Sequence, residues 1–410
     1  MAARRITLGI DLGTTSVKAA LLGAVPDDPS GFEVLASCAR AARAEAAAES
    51  VVAEPQVREQ DVSRILQALN ECLAALPRQL LRRVVGIGVS GQMHGVVFWK
   101  TGQGCEWTEG GISPVLVPRA VSHLVTWQDG RCSSEFLASL PQPKSHLSVA
   151  TGFGCATIFW LLKNCPEFLK PYDAAGTIHD YVVAMLCGLP RPLMSDQNAA
   201  SWGYFNTQSQ SWNVEILRSS GFPVHLLPDI AEPGSVAGRT SHVWFEIPKG
   251  TQVGVALGDL QASVYSCMTL GTDAGLEVEE SMVYSRIIQA AVQQTDTHLT
   301  ITPTVLGERH LPDQLASVTR ISPDLSLGHV ARALCRGIVQ NLLSMLPVRQ
   351  LQEWGVQRVV GSGSALSRNE VLKQEVQRAF PLPVSFGHDV DAAVGAALVM
   401  LRRNLSQKES

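Results

Sequence analysis

The chain has 410 residues, of which 46% are hydrophobic and 17% charged, and its formal net charge is −4. That length allows two or three domains with ample core, the composition is that of a soluble globular protein rather than a disordered one, and slight acidity without a Lys/Arg run argues against nucleic acid as a partner. No apolar stretch reaches membrane-spanning length, and Met1–Arg5 run into a strand pattern without a signal-type core, so the expectation is a cytoplasmic protein with no membrane partner; oligomeric state is not legible. Nine cysteines include no C-x-x-C pair and ten histidines no H-E-x-x-H, so neither a metal knuckle nor a disulfide framework is expected.

Ile6, Leu8 and Ile10 alternate with Thr7 and Gly9, and Val17, Ala19 and Leu21 with Ser16, Lys18 and Ala20, which predicts a β-hairpin over Ile6–Leu22. Its turn, Asp11 to Ser16, combines a carboxylate, a glycine and three hydroxyls. Such a turn suits Mg²⁺ and polyphosphate, and an ordinary polar turn is the alternative. Phe32–Ala36 supplies a third strand, Ala39–Ala53 is weakly patterned, and Asp61 caps a helix whose Val62, Ile65, Leu66, Leu69, Cys72 and Leu73 recur at helical spacing.

The apolar strand Arg83–Val89 ends in Ser90-Gly91-Gln92-Met93-His94-Gly95, and Thr126-Trp127-Gln128-Asp129-Gly130-Arg131 follows. Met93 and Trp127 read by themselves as core residues. An amide, an imidazole, a carboxylate and a guanidinium in two short glycine-bounded loops suit a polyhydroxylated ligand instead. Helical stretches follow at Ile158–Asn164 and at Ile178–Cys187, the second stopped by Gly188.

Strand character restarts after residue 245, which predicts a first domain over 1–245 and a second over 246–410. Val253–Leu257 leads into Gly258-Asp259-Leu260, where Asp259 reads either as a general base at a strand end or as a helix N-cap. Helices are then expected over Leu276–Gln293 and Ser326–Leu346, and extended chain over Ile301–Leu306. Val356–Val360 forms a strand entering the Gly361-Ser362-Gly363-Ser364 turn, and Asn369 opens a helix to about Ala379. Pro383–Phe386 and Asp391–Arg402 supply a last strand and helix. The Gly/Ser turn can approach a phosphate or a planar base, but its spacing does not fit a dinucleotide site.

Taken in order, Asp11-Leu-Gly-Thr-Thr-Ser, Gly91-Gln-Met-His-Gly, Trp127-Gln-Asp-Gly-Arg, Gly258-Asp-Leu-Gln-Ala, Gly307-Glu-Arg and Gly361-Ser-Gly-Ser resemble the FGGY family of carbohydrate kinases. Glu59-Gln60-Asp61, Asp196 with Asn198–Ser201, and Asp391-Ala-Ala-Val-Gly-Ala-Ala agree with it. The resemblance implies an α/β actin-like (ribonuclease H-like) ATPase fold with two duplicated domains around a cleft. It also implies ATP-dependent phosphorylation of a ketose, sedoheptulose being the sugar it points to. By the same resemblance Asp11 would position Mg²⁺, and Thr14, Thr15 and Ser16 would contact the ATP phosphates. Gln92, Met93, His94 and Asp129 would line the sugar pocket; Gly361, Gly363, Ser364 and Asn369 would lie along the adenosine; Asp259 would be the catalytic base.

One departure from the family stands out. A second actin-like domain needs its own phosphate-gripping hairpin after the Asp259 helix, and only Thr269–Gly275 separate Met268 from the helix expected at Leu276. Two strands and a turn do not fit there. The second domain is therefore expected to be incomplete near 269–275, and a catalytically impaired sugar-binding relative is the alternative to an active kinase.

Overall fold

The computed structural model describes residues 5–25, 32–46, 57–110, 113–267, 273–277, 285–294, 296–304, 314–323, 325–363, 366, 369–387 and 391–406. By contacts the chain forms two compact units, Met1–Ala262 together with Ala392–Ser410, and Ser263–Asp391.

In the first unit, β1 (Ile6–Leu12) and β2 (Ser16–Ala24) pair antiparallel with Leu12 opposite Val17, leaving Gly13, Thr14 and Thr15 as the turn. β3 (Phe32–Ala41) continues the meander, running past the expected end at Ala36 because it stays paired to β2 as far as Ser16. Helix α1 (Val62–Ala75) is capped by Asp61, whose carboxylate accepts from the Ser63 N–H at 2.7 Å, and its buried stripe packs on β2 and β3. β4 (Val84–Gly91) lies parallel to β1, with Gly9 opposite Gly88 and Asp11 opposite Ser90. Apolar helices α2 (Gly154–Asn164) and α3 (Ile178–Cys187) follow, and α3 ends on Gly188 in the left-handed region at φ 65°. α4 (Asp196–Ala200) is a single turn capped by Ser195. β5 (Val236–Arg239), β6 (Gln252–Gly254) and β7 (Leu257–Gly258) finish the sheet, whose order β5-β6-β4-β1-β2-β3 carries β7 beside the end of β4. Three antiparallel strands extended by parallel ones make the ribonuclease H-like order. A short hairpin, Cys105–Gly110 with Ser113–Pro118, lies outside this sheet and has no counterpart in the sequence reading.

α5 (Asp259–Cys267) opens on Asp259 itself. The sequence-expected second domain begins at residue 246, whereas the contacts keep the chain in the first unit as far as Ala262, because β6 and β7 hydrogen-bond to β4.

The second unit has a three-stranded parallel sheet, β8 (Asp273–Glu277), β9 (Arg358–Ser362) and β10 (Val384–Phe386), with β9 central. Helices α6 (Ser285–Val292), α7 (Leu327–Met345) and α8 (Glu370–Ala379) pack against one another. The helix expected over Leu276–Gln293 is corrected at its start: Leu276 and Glu277 end β8, paired to Gly361 and Ser362, and the helix among the described residues is Ser285–Val292. Pairing to β9 overrides local helical preference. Among the described residues, one extended segment precedes α6 in this unit, and it runs parallel to its neighbour. The expected Gly307-Glu308-Arg309 motif lies outside the described residues.

The C-terminal helix α9 (Ala392–Ser406) returns to the first unit and packs on β1, β2 and β4. Side chains alternate along a strand, so with Leu8 and Ile10 in the core that α1 shares, Gly9 faces the other way. A Cβ on Gly9 would collide with the Ala393 carbonyl, one on Gly88 with that of Ala396, and one on Gly395 with that of Ala262. Two side-by-side glycines thus form a trough in which an alanine-rich helix lies with its backbone on the sheet.

Candidate functional site

The β1–β2 turn is held by a ring of amides. Gln60 Nε2 donates to the Thr14 carbonyl at 2.8 Å, Gln92 Nε2 donates to Gln60 Oε1 at 2.9 Å, and the Thr14 hydroxyl donates to Gln92 Oε1 at 3.5 Å. The Trp127 indole N–H donates to the same Thr14 hydroxyl at 3.0 Å. The phosphate-type turn, the Gln92 loop and the Trp127 loop are therefore one braced assembly. Asp11 is 5% exposed at the end of β1, opposite Lys18 on β2, and the Ser90 hydroxyl lies 3.3 Å from its Oδ1. Thr15 and Ser16 continue the turn outward, with Thr15 exposed. A single carboxylate beside backbone and hydroxyl donors fits Mg²⁺ carried by phosphates, since Mg²⁺ usually takes one or two protein carboxylates and keeps its other positions for phosphate and water. Among the described residues no cluster of three His, Cys, Asp or Glu forms a protein-only metal cage.

The Gln92–Gly95 loop leaves the end of β4. The Gln92 N–H donates to the Leu12 carbonyl at 3.0 Å, and the Gly95 N–H closes a tight turn on Met93 O at 2.8 Å. His94 adopts φ 70°, a left-handed conformation uncommon for a bulky residue. Its ring stacks on Phe153 with centroids 4.9 Å apart, and its Nδ1 lies 2.8 Å from the Ser201 carbonyl. A carbonyl only accepts, so Nδ1 carries a proton toward Ser201.

Asp129 is fully buried. Its Oδ1 accepts from Arg131 Nε at 2.8 Å and the Arg131 N–H at 3.1 Å; its Oδ2 accepts from Arg131 Nη2 at 3.0 Å and the Arg58 N–H at 2.8 Å. Arg131 Nη2 also donates to Glu59 Oε1 at 2.7 Å, and the guanidinium lies over the Trp160 ring. Burial works against the Arg131 charge, but Asp129 and Glu59 outweigh it and hold the guanidinium pKa above its usual value. Asp129 thus stands as the internal partner that folds the Trp127–Arg131 loop onto residues 58–59.

Asp259 follows β7, whose Gly258 is in register with Gly91. Its Oδ1 accepts from the Leu260 N–H at 2.8 Å, and a Cβ on Gly258 would fall against Met93 Sδ. The base candidate and the Gln92–His94 loop therefore leave adjacent parallel strands of one sheet.

In the second unit, Gly361 lies on β9 against the Phe386 ring, and Gly363 takes φ 96°. Asn369 caps α8, its Oδ1 accepting from the Leu372 N–H at 2.9 Å while its Nδ2 faces Cys335 Sγ at 3.6 Å. Ser364 lies outside the described residues. Gln60, Trp127, Glu59 and Arg131 carry the bracing of the site, a role that local pattern does not reveal because their contacts join positions far apart in the chain.

Comparison with known proteins matches residues 6–265 to the N-terminal domain of the FGGY family of carbohydrate kinases. The chain is 78% identical to a sedoheptulokinase of Homo sapiens and 72% identical to one of Mus musculus, each alignment covering all of both chains. The human alignment runs over 478 positions against 410 residues, so that relative carries a stretch with no counterpart here. Among solved structures, a xylulose kinase of Brucella ovis superimposes with TM-score 0.74 at 17% identity, covering 98% of this chain and 91% of that one. A Plasmodium falciparum glycerol kinase does so with TM-score 0.74 at 16% identity, covering 98% and 90%. The fold is the actin-like fold of those kinases.

Proposed function

This chain belongs to the FGGY family of carbohydrate kinases, and from that premise we propose that it is an ATP-dependent ketose kinase that converts sedoheptulose to sedoheptulose 7-phosphate. The observation that carries the reading is full-length identity to the human and mouse sedoheptulokinases, joined to a braced turn and a polar loop that leave neighbouring strands. We place its work in cytoplasmic carbohydrate metabolism, in the pentose phosphate pathway.

Phosphoryl transfer asks a protein for positioning and charge stabilisation more than for covalent chemistry. In this reading Thr14, Thr15 and Ser16 present hydroxyls and backbone to the ATP phosphates from the β1–β2 turn, with Asp11 beside them to hold Mg²⁺, which when bound neutralises phosphate charge. Gln92, Met93 and His94 form the sugar wall. Asp129 is assigned to the same pocket, its carboxylate held by Arg131 and the Arg58 N–H. Asp259 takes the proton of the attacking sugar hydroxyl. Gly361, Gly363, Ser364 and Asn369 are assigned to the adenosine.

A second reading, sugar binding without phosphoryl transfer, is the alternative to test, because the human alignment has positions with no counterpart in this chain. Coupled ADP release with Mg-ATP and a panel of sedoheptulose, xylulose and ribulose separates the two. Sedoheptulose-dependent ADP release that Asp259→Asn lowers by about 10²-fold or more supports the kinase. Calorimetric sugar binding with no ADP release would establish the second reading.

A further inference from the structure

The ends of β4 and β7 release the two parts that phosphoryl transfer must hold in register: the Gln92–His94 loop and Asp259. Behind them lies a polar layer fully enclosed in the first unit. His179, the second residue of α3, is completely buried, and a Cβ on Gly91 would come 2.8 Å from its Nδ1, so the imidazole backs directly onto the last residue of β4. Its Nε2 lies 2.8 Å from Asn198 Nδ2, and that same amide nitrogen faces the Ala256 carbonyl at 3.4 Å. The opposite amide orientation would aim one acceptor at another, so Nδ2 donates to both, and the His179 proton resides on Nδ1. Burial pushes the His179 pKa down to about 3, which keeps the ring neutral across the working pH range.

Asn198 also reaches the sugar loop. Its backbone carbonyl accepts from the Ser201 hydroxyl at 3.0 Å, and the Ser201 carbonyl is the 2.8 Å partner of His94 Nδ1. Asn198 itself is held in place by the Ser195 cap, whose hydroxyl accepts from the Asn198 N–H at 3.3 Å. The Asn198 backbone therefore connects to His94 through Ser201, while its side chain ties His179, which backs onto Gly91, to Ala256, three residues before Asp259.

We propose that Asn198, anchored by the buried His179, is a positioning residue that sets the distance between the sugar loop and the Asp259 carboxylate. This rests on the reading of Asp259 as the base. Misplacement of a reacting group by about 1 Å costs up to about 10²-fold in rate, so a residue that touches neither sugar nor nucleotide can control turnover.

The test is a double-mutant cycle on the full chain, with kcat from ADP release, sedoheptulose Kd from calorimetry, and hydrogen–deuterium exchange of peptides over 90–96 and 255–261. Asn198→Ala is expected to lower kcat about tenfold or more, to change sugar Kd by less than about threefold, and to raise exchange in both peptides. In the Asp259→Asn background the same substitution should cost less than about twofold in residual turnover, because its route is through Asp259. His179→Gln, which keeps a neutral acceptor, should retain kcat within about threefold, while His179→Leu should behave like Asn198→Ala. Unchanged kcat and exchange in Asn198→Ala, with Asp259→Asn inactive, would overturn the positioning role while leaving the base intact. Full turnover by Asp259→Asn would instead remove the base reading, and the positioning role with it. If Asn198→Ala costs as much in the Asp259→Asn background as in the native chain, Asn198 acts on general structure and the proposal fails.

Discussion

Arg131 shows how much of this site is held by buried charge. Its side chain is 1% exposed and lies between Asp129, 0% exposed, and Glu59, 7% exposed. Removing one member of such a group leaves the others buried without a counter-charge, a loss of about 3–5 kcal/mol. Arg131→Ala should therefore lower the midpoint of urea unfolding by that equivalent and release the Trp127 loop; an unchanged midpoint would show that the loop is held by other contacts. Asp180 presents a different case. It is fully buried at the start of α3, where its Oδ2 accepts from the Thr177 N–H and hydroxyl, and burial raises its pKa from 3.8 to about 7 despite those bonds. A folded-state pKa above the unfolded one contributes stability that is fully present below pH 3.8 and is lost as pH rises to about 7. Asp180→Asn keeps an acceptor for Thr177 and removes the titration. Its melting temperature relative to the native chain should rise between about pH 4 and 7 and level off above, which a pH series of thermal melts will read.

The α9 trough is a device of a whole element. Helix and sheet meet there through glycines, so the tolerance for added atoms is low. Gly88→Val places two extra methyl groups and a Cβ against the Ala396 backbone. Overpacking of this kind costs about 1–3 kcal/mol, and it should appear as a lower unfolding midpoint with unchanged turn geometry at Thr14. The pattern of this layer was legible in the chain: the alternation of Ile6 to Ile10, the Asp61 cap with its helical stripe, and the Gly188 stop all come from local periodicity and capping. The amide ring of Thr14, Gln60 and Gln92 was not, because it depends on three segments meeting across the sheet. Leu276 was misread for the same reason, its extended form being set by pairing with Gly361 on β9, far along the chain. Asp259 was readable as base or cap; only the register of Gly258 with Gly91 shows that it neighbours the Gln92–His94 loop.

At the scale of the molecule, the sugar-wall candidates and Asp259 all belong to the first unit. Sedoheptulose should therefore bind in the absence of nucleotide, and calorimetry without ATP will register it; binding that appears only after a non-hydrolysable ATP analogue is added would assign part of the sugar site elsewhere. The first unit leaves off at Ala262 and resumes at Ala392, with α9 lying in its glycine trough. In polymer terms, everything from Ser263 to Asp391 is a loop whose ends are joined by that helix. The entropy of closing a loop grows only logarithmically, by about 0.6 kcal/mol for each doubling of its length. The first unit is thus nearly indifferent to how many residues the intervening segment contains, and its stability should change little with the length of the second.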